Sequence, residues 1–138
     1  MKTKSVLVLV IDDDPAVRSA FQLALEGTCC DVTVAPCGED GLSVLDEKKM
    51  DLIFLDLKMP GMDGIAVLRR LKETCPSLPV HIVTAFAEEF MAPLRQATED
   101  GLEFELARKP LDRDQIREVT ASVLGDIEGE LLDAKGGQ

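Results

Sequence analysis

The chain has 138 residues, 46% of them hydrophobic and 30% charged, which fits one soluble globular domain with a single core. Its formal net charge of −11 argues against a nucleic-acid surface, because a phosphate backbone needs neutralising Lys and Arg, and against anionic membranes for the same reason. No run approaches the ~20 apolar residues of a membrane span, no signal segment is visible, and the four cysteines show no C-x-x-C spacing, so a cytoplasmic protein with reduced thiols is expected.

In chain order, Val6–Ile11 is a continuous apolar, largely β-branched run, the pattern of a strand buried on both faces of a parallel sheet. It stops in Asp12-Asp13-Asp14-Pro15, where Asp14 caps a helix and Pro15 opens it. Val17, Phe21 and Leu25 carry that helix to Gly27. Residues 31–35 form a second strand, and Leu42 and Leu45 mark a second helix. Leu52–Leu55 is a third strand ending at Asp56, and Lys58–Gly64 is a loop rich in turn residues in which Asp63 caps the next helix. Ile65, Leu68 and Leu71 define that helix to about Thr74. Residues 79–83 are a fourth strand ending at Thr84, with His81 packed on it. A fourth helix occupies much of residues 88–99, a fifth strand spans 104–107, and Ile116, Val119, Val123 and Ile127 belong to a last helix. The domain is expected over residues 4–128, followed by a short polar tail at 129–138.

Five strands alternating with five helices predict a doubly wound α/β fold with parallel strands and right-handed crossovers. Ligands of such sheets bind at the carboxyl ends of the strands. Those ends deliver Asp12 and Asp13, then Asp56, Thr84 and Lys109. Three carboxylates converging at one edge repel one another and call for a cation; an all-oxygen set suits Mg²⁺. An aspartate oxygen so placed is a competent nucleophile toward a phosphoryl group, whose charge the metal and a lysine would neutralise.

An apolar strand ending in Asp12-Asp13, the block Leu-Ile-Phe-Leu-Asp56-Leu-Lys-Met-Pro60-Gly-Met-Asp-Gly64, Val-Thr84-Ala85 and Lys109-Pro110 together resemble the receiver domain of two-component response regulators, over roughly residues 4–125. The resemblance implies a flavodoxin-like sheet of order 2-1-3-4-5. It implies Asp56 as phosphoacceptor, Asp13 as direct Mg²⁺ ligand, Asp12 helping through water, and the Lys58 backbone carbonyl as a further ligand. Lys109 would pair with the phosphoryl group, and Thr84 would swing its hydroxyl toward it and switch the face made by the fourth helix, fifth strand and fifth helix. Lys109-Pro110 would be cis. The donor would be a histidine kinase or a histidine phosphotransfer protein, the protein a phosphoacceptor rather than an enzyme beyond self-phosphorylation from small donors and slow self-dephosphorylation. Its downstream partner or output domain is open, and a homodimer through the same face is one option.

The chain departs from that pattern in three places. The switch aromatic three residues before the lysine is replaced by Leu106, with Phe104 two residues earlier. The stretch from Thr84 to Lys109 is a few residues longer than expected for the family, which predicts an irregular fourth helix or exit loop. Phe86, two past the threonine, is bulky enough to hinder an attacking water. Two other readings compete: a receiver-fold interaction module regulated without phosphorylation, and a Mg²⁺-dependent phosphatase of the haloacid-dehalogenase type built on Asp12-x-Asp14. The second leaves the Asp56 block unexplained and predicts phosphorylation at Asp12 instead. Neither a G-x-G-x-x-G nor a P-loop occurs to bind nucleotides.

Overall fold

A computed structural model of the protein describes residues 5–85 and 87–124. The expectations for Phe86, the side chain of Val123, Ile127 and the polar tail 129–138 therefore lie outside the described residues.

The central sheet has five parallel strands in the order β2-β1-β3-β6-β7: β1 (Val6–Ile11), β2 (Cys30–Ala35), β3 (Leu52–Leu55), β6 (Val80–Thr84) and β7 (Glu105–Arg108). Five helices flank it: α1 (Pro15–Ala24), α2 (Gly38–Glu47), α3 (Gly64–Thr74), α4 (Met91–Glu99) and α5 (Arg113–Leu124). β1 and β3 match their expected limits because both are wholly apolar and, Leu7 apart, buried, so periodicity and burial agree. The expected turn-rich loop after Asp56 carries a two-residue antiparallel ribbon, β4 (Lys58–Met59) against β5 (Met62–Asp63), with Gly61 at φ +83° making the reversal.

The sheet divides the core by strand alternation. Leu9, Ile11, Ile53, Leu55, Val80 and Ile82 face α2, α3 and α4, packing on Ile65, Leu68, Leu71 and Leu94. Val8, Val10, Leu52, Phe54 and Val83 face α1 and α5, packing on Phe21, Leu25 and Ile116. Arg117 of α5 donates to the carbonyls of Ala24 (2.7 Å) and Glu26 (3.2 Å), satisfying acceptors left at the end of α1 and tying the two helices together.

The expected fourth helix is irregular at its entrance, not its exit. Residues Ala87–Phe90 form a 3₁₀ turn before α4 begins. The exit is a regular Schellman closure: Gly101, at φ +95°, donates to the Thr98 carbonyl and Leu102 to the Ala97 carbonyl. β7 starts one residue later than expected, since Phe104 precedes the strand and packs into the core while Leu106 is 39% exposed.

His81 is packed as expected, 8% exposed with its ring 5.8 Å from that of Phe54. Its Nδ1 is buried with no hydrogen-bond partner among the described residues, and burial pushes its pKa below the ordinary value against the opposing charge of Glu105. The unfolded chain therefore takes up a proton first as pH falls. The stabilising effect of neutral His81 is full above about pH 6.5 and is lost as pH drops through the lower folded-state pKa. Urea unfolding at pH 8 and pH 5.5 should show a smaller loss of stability on acidification in His81→Phe than in wild type. Equal losses would sink this account.

Candidate functional site

Strand register brings the expected residues to one edge. Ile11 pairs with Leu55, so Asp12 and Asp56 leave the sheet side by side. The Asp56 amide donates to the Ile11 carbonyl at 3.0 Å, and the Asp12 amide to that of Ala35 at 3.1 Å, so both backbones are still held as each acid emerges. Leu55 also pairs with Ile82, which places Thr84 one step beyond the level of Asp56 on the neighbouring strand; Thr84 is fully buried. Thr84 pairs with Arg108, and the Lys109 amide donates to the Thr84 carbonyl at 3.0 Å. Lys109-Pro110 is cis.

Carboxylate oxygens of Asp12, Asp13 and Asp56 lie within 4.8 Å of one another, the one such grouping of three metal-ligating side chains among the described residues. Asp12 and Asp56 are buried and Asp13 is exposed, leaving one side of the cluster open to water. Lys109 Nζ sits 2.8 Å from Asp12 Oδ2 and 3.2 Å from Asp56 Oδ2. Backbone amides hold the remaining oxygens: Asp14 donates to Asp12 Oδ1 at 2.9 Å and Lys58 to Asp56 Oδ1 at 3.3 Å. Asp14 itself spends its side chain capping α1 at the Ala16 amide, and Asp63 caps α3 at Ile65, the structural roles expected of both.

Burial pushes the Asp56 carboxyl above the ordinary aspartate range. The Lys109 charge opposes this and the Asp12 charge adds to it. Burial alone would lower Lys109, yet its hydrogen bond to Asp12 and the charges of both aspartates carry it above the ordinary lysine range. Both shifts are upward, so the charged form is disfavoured at Asp56 and favoured at Lys109: the lysine faces two carboxylates and lies nearer Asp12, while Asp56 has one cation and one like charge. With all four groups ionised, three carboxylates and one ammonium leave a charge of −2. Hard oxygen donors, an open side and that residual charge fit a hydrated divalent cation.

Three participants escaped sequence reasoning. Arg18 Nη1 donates to the Asp12 backbone carbonyl at 2.9 Å. Glu89, on the 3₁₀ turn, binds the Lys58 ammonium, and its neighbour Glu88 binds Arg108. Arg18 sits one helical turn past the Asp14 cap, a spacing that could have pointed it back at the strand end. The glutamates carried no signal, because their partners are 31 and 20 residues away. A groove lined by Lys72, His81, Glu105 and Glu118 among others lies at the opposite edge of the sheet, where β6 and β7 begin.

The family described as the response regulator receiver domain matches residues 8–121. The transcriptional regulatory protein ZraR of Salmonella typhimurium is 36% identical over 119 residues, covering 85% of this chain and 26% of that protein. The DNA-binding transcriptional regulator NtrC of Escherichia coli K12 is 37% identical over 109 residues, covering 79% and 23%. The chain thus spans about a quarter of the length of these relatives. Among solved structures, the receiver domain of nitrogen regulatory protein C in its BeF3-activated form has a TM-score of 0.70 at 36% identity, covering 88% of this chain and 93% of that one. A CheY-like receiver domain protein from Methanospirillum hungatei shares the fold with a TM-score of 0.80 at 23% identity, covering 92% and 99%. With its acidic triad Asp12, Asp13 and Asp56 at the carboxyl edge of a 2-1-3-4-5 parallel sheet, the chain belongs to the response regulator receiver domains, a signalling family rather than one of catalytic enzymes.

Proposed function

We propose that Asp56 accepts a phosphoryl group in a Mg²⁺-dependent reaction, from a histidine kinase or a histidine phosphotransfer protein, in a cytoplasmic two-component pathway. The observation that carries this reading is the Lys109 ammonium lying 2.8 Å and 3.2 Å from two of three carboxylates gathered within 4.8 Å. An Asp56 oxygen attacks phosphorus, the bond from phosphorus to the donor imidazole or acetate breaks, and an acyl phosphate forms on Asp56. Asp13 and Asp56, with the Lys58 backbone carbonyl and with Asp12 through water, would hold the cation, which supplies charge neutralisation on the transferred oxygens when bound. Lys109 turns from Asp56 Oδ2 to the incoming phosphoryl group, and the Thr84 hydroxyl donates to it from the adjacent strand. The change is read on the face formed by α4, β7 and α5, where Leu106 stands exposed in place of an aromatic; a partner protein, an output domain or a second copy would bind there.

Incubation with MgCl₂ and acetyl phosphate, followed by intact mass, tests this. Wild type should gain one phosphoryl group, and Asp56→Asn should gain none. Equal gain by both would overturn the assignment, and gain that is lost only in Asp12→Asn would favour the phosphatase-type reading.

A further inference from the structure

The 3₁₀ turn after β6 carries two consecutive glutamates, and each holds a cation. Glu89 takes the Lys58 ammonium at 3.1 Å and 3.2 Å through its two oxygens. Glu88 takes Arg108 at 2.9 Å. Lys58 stands two residues after Asp56, and its backbone amide already donates to Asp56 Oδ1 at 3.3 Å. A four-carbon stem rooted there can carry its ammonium into the acidic cluster. The cluster would welcome it, since Lys109 leaves a charge of −2 uncompensated. An ammonium inside would neutralise half of that charge and occupy the open side that the cation needs.

We infer that Glu89 is a positioning residue for the metal site: it holds Lys58 outside the carboxylate cluster and so preserves the cluster's affinity for a divalent cation. The inference rests on the metal reading given above. The pair is half exposed, with side chains at 50% and 52%, so its worth to folding is small. Its consequence lies in where it leaves the lysine charge. Glu88 supplies the contrast: Arg108, its partner, leaves β7 on the face opposite to Lys109 by strand alternation, so its release does not deliver a charge to the cluster.

The test is titration of the ¹⁵N-labelled chain with MgCl₂ at constant ionic strength, following the amide shifts of Asp13 and Lys58. Glu89→Gln should weaken Mg²⁺ binding by about threefold to tenfold, the effect expected of one added positive charge close to the site in partly screened solvent. The double variant Lys58→Met with Glu89→Gln keeps the Lys58 carbonyl and should recover the lost affinity. Glu88→Gln makes the same change in net charge one residue away and should stay within twofold of wild type. The inference is overturned if Glu89→Gln binds Mg²⁺ as wild type does, if the double variant stays as weak as Glu89→Gln, or if Glu88→Gln weakens binding equally. Absence of any Mg²⁺-dependent shift in wild type would instead remove the metal reading on which it stands.

Discussion

Gly64→Ala should destabilise the domain by about 3 kcal/mol or more, a large fraction of the roughly 5–15 kcal/mol that holds a domain folded. Gly64 is the first residue of α3, a position where alanine would ordinarily gain up to ~1 kcal/mol of helix propensity. The local environment reverses that sign. A Cβ at Gly64 would run into the Leu57 carbonyl oxygen and Cα and come within 2.7 Å of the Leu57 carbonyl carbon. These are backbone atoms, so no rotamer change relieves the overlap. Either α3 tilts, dragging Ile65, Leu68 and Leu71 out of the core, or Leu57 shifts and takes Asp56 with it. Gly41→Ala is the milder comparison: its Cβ would meet the Ile11 side chain, 2.7 Å from Cγ1, and a side chain can repack at about 1–2 kcal/mol. Urea unfolding of the two variants checks the ranking. Gly64→Ala within 1 kcal/mol of wild type would mean that the helix does not press on the phosphoacceptor strand end as described.

That contact explains why the Asp56-to-Gly64 block reads so strongly as sequence. Its glycine, its cap at Asp63 and its acid are fixed by one close approach of α3 to the end of β3. The rest of the fold was legible to the degree that burial was symmetrical. β1 and β3 are buried on both faces, and their apolar runs ended where the strands end. The β4–β5 ribbon was invisible, because two residues per strand carry no period. The 3₁₀ turn was missed because Glu88 and Glu89 are good helix formers, and no local signal sets them apart from the helix that follows. The site divides in the same way. Its acids and lysine sit at strand ends, and topology alone gathers them. The charges that surround them come from α1, the β4–β5 ribbon and the 3₁₀ turn, and their partners are set by tertiary structure.

Lys109→Met should cut the rate of phosphorylation by acetyl phosphate about a hundredfold or more at saturating Mg²⁺, the usual cost of removing one preorganised charge from a reacting oxygen. Methionine keeps most of the stem, and the hydrogen bond from the backbone amide of residue 109 to the Thr84 carbonyl survives, so the lost element is the ammonium. The same change should act on stability in the opposite sense to its neighbour. Asp12 and Asp56 are 3% and 5% exposed, and without Lys109 they keep mutual repulsion and lose their cation. Breaking a buried pair from one side costs about 3–5 kcal/mol, and partial solvent access through Asp13 places the expected loss in EDTA near the lower end, about 3 kcal/mol. Asp56→Asn removes one of the repelling charges and should be neutral or stabilising under the same conditions, although on the proposed function it should abolish phosphorylation. Added Mg²⁺ should restore much of the stability of Lys109→Met, because the ion replaces the missing charge, and none of its reactivity, because the lysine is needed at the transferred oxygen. Stability and rate recovering together with Mg²⁺ would show that Lys109 only balances charge. Their separation would show a group poised to follow the phosphoryl oxygen from donor to Asp56.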